Sequence, residues 1–242
     1  MKIKNIKAKP LLEPPTEKEW WEVTGRDRAD IEKLLSGFGK DGVLWIDANL
    51  PVWAKRLGLL NESDGSLKRI LEAYERERKK TVGRTAEGVG AVLYNMKRMG
   101  FEPKMTQKER EYLYSELEGI RHSDNGYVYS FILKFMKGLG LDVEITERDK
   151  KYMKKDVESL RESPQGDALA HMHLNMRELG FQTKVTAEDK EIFRKTLEWS
   201  RANSDEDHRT YLLFMHYAVR ELGMVETPPK EAPLPPLKWF GK

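Results

Sequence analysis

The sequence predicts an all-α protein built from tandem helical hairpins that recur about every 40 residues. Three observations carry this. The segment Met99-Gly100-Phe101-Glu102-Pro103-Lys104-Met105-Thr106-Gln107-Lys108-Glu109 returns forty residues later as Leu139-Gly140-Leu141-Asp142-Val143-Glu144-Ile145-Thr146-Glu147-Arg148-Asp149. It returns again, forty further on, as Leu179-Gly180-Phe181-Gln182-Thr183-Lys184-Val185-Thr186-Ala187-Glu188-Asp189. In each copy a glycine that can adopt the left-handed C-cap ends one helix. A threonine with an acid three residues on then starts the next as a capping box.

The second observation is the stripe before each glycine. Aligned on Gly100, Gly140, Gly180 and Gly223, the preceding residue is Met99, Leu139, Leu179 and Leu222. Four before stand Met96, Met136, Met176 and Val219; eight before, Val92, Ile132, Met172 and Met215; eleven before, Val89, Tyr129, Leu169 and Leu212. These offsets lie on one helical face, the face to be buried. The third is a matching stripe after each threonine: Leu113, Met153 and Phe193, then Leu117, Val157 and Leu197.

Taken in order, Met1 to Pro15 reads as a Lys-rich extended arm, and Thr16-Glu17-Lys18-Glu19 opens a short helix bearing Trp20 and Trp21. A second helix is expected over 27–36. The first helix of the A type spans 43–57, where Pro51 marks either a kink or a fresh first turn. Its partner of the B type covers 66–79. Further A helices are expected at 86–99, 127–139, 167–179 and 208–222, and B helices at 107–121, 147–161 and 187–201. The expected organisation is an N-terminal arm and helical cap (1–40), hairpin repeats over 41–225 and a Pro-rich tail (226–242). The repeats divide at about 41–82, 83–125, 126–166 and 167–207, with a half-repeat at 208–225. A stacked α-solenoid-like array is the favoured architecture, with a compact duplicated helical bundle as the alternative.

Composition narrows the function classes. Lys and Arg number 43 against 40 Asp and Glu, a net charge of +3 that does not diagnose a nucleic-acid binder. The absence of cysteine excludes disulfides, zinc–thiolate sites and thiol catalysis. No apolar run approaches the roughly 18 residues of a membrane span and the N-terminus lacks a signal-peptide core, so no membrane association and a cytoplasmic location are expected. Charged residues at 34% and few Gln fit a thermophilic origin.

Three groups could carry chemistry. Three residues before each helix-ending glycine stand Lys55, Lys97, Lys137, Arg177 and Arg220, and a second column, Arg121, Arg161 and Arg201, ends the B helices. Either could form a strip for phosphates or an acidic partner, or could simply complement helix dipoles. Among the histidines, His171 and His173 point to opposite faces and cannot share a metal. His173 and His216 hold equivalent positions, occupied by Leu93 and Leu133 in other repeats, and read as core histidines with one partner each. The tail delivers Trp239 and Phe240 on a stiff Pro-rich spacer, either to cap the array or to dock elsewhere.

No phosphate loop, nucleophile elbow or zinc-protease motif is present, so neither a cofactor, a metal site nor catalytic residues are expected. The expectation is a non-enzymatic helical-repeat scaffold binding another macromolecule, a protein by preference. Its partner-binding residues would be Lys97, Lys137, Arg177, Arg220, Trp239 and Phe240. The alternative is a nucleic-acid binder using the basic column and the Lys-rich arm, and the third reading is an all-helical enzyme.

Overall fold

The computed structural model describes residues 21–38, 47–60, 63–81, 86–122, 125–163, 165–203 and 205–225. These contain ten α-helices and, among the described residues, no strand. The helices are α1 (Gly25–Gly37), α2 (Leu50–Arg56), α3 (Asp64–Thr81), α4 (Ala86–Arg98), α5 (Gln107–Arg121), α6 (Gly126–Gly138), α7 (Glu147–Glu162), α8 (Gly166–Glu178), α9 (Ala187–Ala202) and α10 (Glu206–Glu221). A 3-10 turn, Asp47–Asn49, leads into α2. The N-terminal arm and the Pro-rich tail, with Trp239 and Phe240, lie outside the described residues. Among the described residues no helix is long and apolar enough to cross a membrane.

The two helix types differ in burial. Along α8 every residue from Ala168 to Met176 is buried, and along α10 every residue from Leu212 to Val219. By contrast α7 buries only Asp149, Met153 and Val157. A helix apolar on all faces belongs inside, and one with a single stripe belongs on the outside. The even-numbered helices are therefore inner and the odd-numbered ones outer. Each inner helix packs on the next: α4 on α6, α6 on α8, α8 on α10. Helix α10 then packs on α2 and on α1, and α2 reaches α4 through the 3-10 turn. The first and last units therefore meet. The tandem hairpins are as expected, but the array closes on itself and so lies nearer the compact alternative than an open stack. A repeat in sequence defines each hairpin; it does not state the rotation from one hairpin to the next.

Boundaries follow local chemistry. At Gly140, φ is +82°, and the Leu141 N–H donates to Met136 O at 2.9 Å. This is a Schellman-type stop that an L side chain would strain. Pro51 sits in the first turn of α2, so it starts a helix rather than kinking one. Helix α1 begins at Gly25 rather than 27 because Thr24 and Asp27 form a capping box. Helix α10 begins two residues before the expected 208, where the Asp205 side chain accepts from the His208 N–H.

The second cation column has a structural role. Arg121 Nη2 donates to Asp149 Oδ2 at 3.0 Å, and Arg161 Nε to Asp189 Oδ1 at 2.6 Å. Arg78 grips Glu109 through Nε and Nη2 at 2.6 and 2.8 Å. Each acid is the capping-box residue of the next outer helix. Arg201 completes the series on the first outer helix: its Nη2 lies 2.8 Å from Asp27 Oδ2 and also donates to Glu22 O at 2.8 Å. Two histidines join these nodes. His216 Nε2 is 3.0 Å from Asp27 Oδ2, and His173 Nε2 is 3.3 Å from Asp189 Oδ2. Burial works against the Asp27 charge, but hydrogen bonds from His216, Arg201 and the Thr24 N–H outweigh it and hold the carboxyl far below the ordinary range.

Asp27→Asn removes the counter-charge of Arg201, whose side chain is 20% exposed. Loss of one partner of a buried pair costs about 3–5 kcal/mol, reduced here by that exposure to about 2–3 kcal/mol. Urea unfolding should show this loss, whereas Glu147→Gln, in an exposed pair with Lys150, should change stability by less than about 0.5 kcal/mol. Because the Asp27 pKa is depressed, its contribution is present at neutral pH and is lost as the solution is acidified below the ordinary carboxylate range.

Candidate functional site

The stripe used above faces the outer helices. A second stripe, at two, five, six and nine residues before each terminal glycine, faces the axis enclosed by the inner helices. It supplies Trp53 from α2, Tyr94 and Arg98 from α4, Phe131, Lys134 and Phe135 from α6, His171 and Glu178 from α8, and Phe214 and Tyr217 from α10.

Aromatic contacts run across the helices. The His171 ring stacks on Phe214 with centroids 3.7 Å apart, and Phe131 lies 5.2 Å from His171. Trp53 lies 4.9 Å from Phe214 and stacks on Tyr217 at 6.0 Å. Toward the C-terminal ends of the inner helices the cluster becomes charged. Arg98 Nη2 donates to Tyr217 Oη at 2.7 Å, and its guanidinium lies 5.5 and 5.6 Å from the Tyr94 and Tyr217 ring centres. The Tyr94 hydroxyl donates to Glu178 Oε2. The Lys134 ammonium is 7% exposed as a residue and faces rings: Phe131 at 4.8 Å, Phe135 at 5.0 Å and Tyr94 at 5.8 Å. A Cβ on Gly138 would stand 2.1 Å from the Tyr94 ring, so glycine is what lets that phenol lie against α6 and reach Glu178.

Burial favours the uncharged forms here. It brings the Lys134 ammonium down to about 8, with Glu178 opposing and Arg98 assisting. It holds His171 well below its usual value, with the Lys134 charge adding to the effect, so the ring is neutral. It lifts the Tyr217 phenol to about 12. The result is an aromatic cluster around the axis that holds the Lys134 and Arg98 cations and the Glu178 carboxylate.

The cations of the first column lie around the same end. Lys97, Lys137 and Arg177 are exposed and Arg220 is half-buried, each in the last turn of its helix. Lys97 Nζ donates to Gly138 O at 2.8 Å, and Arg177 donates to Glu221 O. Each thus satisfies an unpaired carbonyl at the end of the neighbouring inner helix. The axial groups were missed from the sequence, although inner helices apolar on every face were the signal for a second buried side. Beside this rim a groove of about 270 Å³ opens between the two links around Phe101 and Leu141, with Lys97 and Arg110 on its walls. The chain matches no known protein family, no curated protein and no solved structure.

A lysine whose pKa is depressed by burial weakens the fold while it is charged. Its native pKa of about 8 lies below the unfolded value of 10.5, so the native state binds fewer protons between those values. Stability conferred by this residue therefore rises with pH across that window and is lowest below it. Lys134→Met should stabilise the protein at pH 7 by about 3 kcal/mol at most, the free-energy equivalent of that shift. The gain over wild type, followed by urea unfolding, should shrink as pH rises from 8 to 10.5.

Proposed function

We propose that this chain is a non-enzymatic helical-repeat adaptor that binds an acidic protein partner on the face formed by the C-terminal ends of its inner helices. The observation that carries this reading is the charge of that face. The last turns of α2, α4, α6, α8 and α10 hold seven basic residues (Lys55, Arg56, Lys97, Arg98, Lys137, Arg177 and Arg220) against two acidic ones, Glu178 and Glu221. A chain of nearly balanced composition thus gathers its positive charge where the closed array brings five helix ends together. Dipole compensation accounts for part of this, as it does for Arg78, Lys79 and Lys80 at the end of α3. Exposed Glu102, Asp142 and Glu144 on the adjoining links favour a protein surface of mixed charge over a phosphate backbone. A cytoplasmic setting belongs to the same proposal.

The test is fluorescence anisotropy with a labelled hexaglutamate peptide and, in parallel, a labelled oligonucleotide. The peptide should bind saturably at low salt, and reversing Lys97, Lys137 and Arg177 to Glu together should weaken it at least about tenfold. No peptide binding, or binding unaffected by the reversal, contradicts the proposal. Tighter binding of the oligonucleotide with a steep salt dependence would replace it with the nucleic-acid reading.

A further inference from the structure

Resting on the reading of that face as one for an acidic partner, we propose that its centre is a carboxylate-binding subsite. Lys134, Arg98 and the Tyr94 hydroxyl receive a carboxylate of the partner, and the chain's own Glu178 holds the place when the partner is absent.

Two cations, Lys134 and Arg98, converge on the axis, and the carboxylate hydrogen-bonded within the cluster is that of Glu178. An ammonium surrounded by the rings of Phe131, Phe135 and Tyr94 is stabilised by their faces, but less than by an anion. An anion drawn up to the ammonium would therefore improve on what the rings supply. Glu178 is an exposed residue in the last turn of α8, on a long side chain that can swing into solvent, yet its carboxylate is bent across the axis to the Tyr94 hydroxyl of α4. Tyr94 is admitted by Gly138, and Arg98 is braced by the Tyr217 hydroxyl, so the donors are placed before any ligand arrives. A monoanionic carboxylate suits this place better than a phosphate dianion, which Glu178 and Glu221 on the same rim would repel more strongly.

The experiment follows the side-chain nitrogen resonance of Lys134 in the full chain by NMR, identified by its absence in Lys134→Met. The probes are sodium acetate, sodium chloride at equal ionic strength, and the hexaglutamate peptide. Acetate should shift the Lys134 signal saturably, and in Glu178→Gln its apparent affinity should rise about tenfold, because an internal competitor has been removed. Chloride should not reproduce the shift. The subsite is wrong if acetate moves the signal no more than chloride does in Glu178→Gln, or if Glu178→Gln binds acetate no tighter than wild type. Failure of the partner reading looks different: acetate then binds at Lys134 while the peptide does not bind at all. Conversely, peptide binding that is lost on reversing Lys97, Lys137 and Arg177 but never moves Lys134 leaves the face and removes the subsite.

Discussion

A carboxylate three residues past each capping threonine serves two helices at once. In Asp27, Glu109, Asp149 and Asp189 it accepts from its own N-cap backbone and so fixes where an outer helix starts. The same group receives an arginine from the end of another outer helix, the preceding one for Glu109, Asp149 and Asp189 and α9 for Asp27. Local helix initiation and inter-repeat docking therefore depend on one side chain. The arginine stands twelve residues after the corresponding capping position in α3, α5, α7 and α9: Arg78 after Ser66, Arg121 after Glu109, Arg161 after Asp149 and Arg201 after Asp189. Where the chain lacks one member of this pair it lacks both. Helix α3 has Ser66 at the position of the acid, and the residue twelve after Asp27 is Gly39. The series thus begins at α3 and ends by docking α9 onto α1, which is how a linear repeat acquires a closed form.

Closure has a consequence at the centre. Five inner helices packed side by side present their C-terminal ends, with their partial negative charge, around one axis. Cations on the last turns answer that field, and some reach a neighbouring helix's carbonyl, as Lys97 and Arg177 do. Lys134 is different. It stands one turn deeper, among rings, where burial disfavours its charge and the nearby Glu178 carboxylate offsets this only in part. A leucine occupies the equivalent position in α8, Leu174, and a valine in α2, Val52, so the fold does not require a cation there. A charge at a position that other repeats fill with an apolar residue is the kind of group the proposed carboxylate subsite would use.

Much of this was legible in the sequence. Helix stops at Gly100, Gly140, Gly180 and Gly223 and starts at Thr106, Thr146 and Thr186 follow from short-range chemistry, and the helices they bound fall within a residue or two of the expected limits. The core histidines were also readable, because His173 and His216 replace leucines in a regular stripe; His216 meets Asp27 alone as expected, whereas His173 meets both Thr183 and Asp189. What was not legible depends on the angle between hairpins. Two residues 174 positions apart, Asp27 and Arg201, meet only because the array turns fully, and no local pattern encodes that turn. The axial cluster was hidden for the same reason: Tyr94, Lys134, Glu178 and Tyr217 come from four repeats and share no motif. Lys97, Lys137, Arg177 and Arg220 were found by periodicity, which locates a column but cannot say what lies beside it.

The most direct test of this account is the distance between its two ends. The chain has no cysteine, so Glu32→Cys on α1 and Lys195→Cys on α9 accept spin labels at those two sites alone. Neighbouring packed helices lie about 8–10 Å apart axis to axis, so pulsed electron paramagnetic resonance on the closed array should give one narrow distribution below about 30 Å. A broad distribution centred beyond about 40 Å, as five hairpins stacked in an open row would give, contradicts closure. The shared axial site would fall with it.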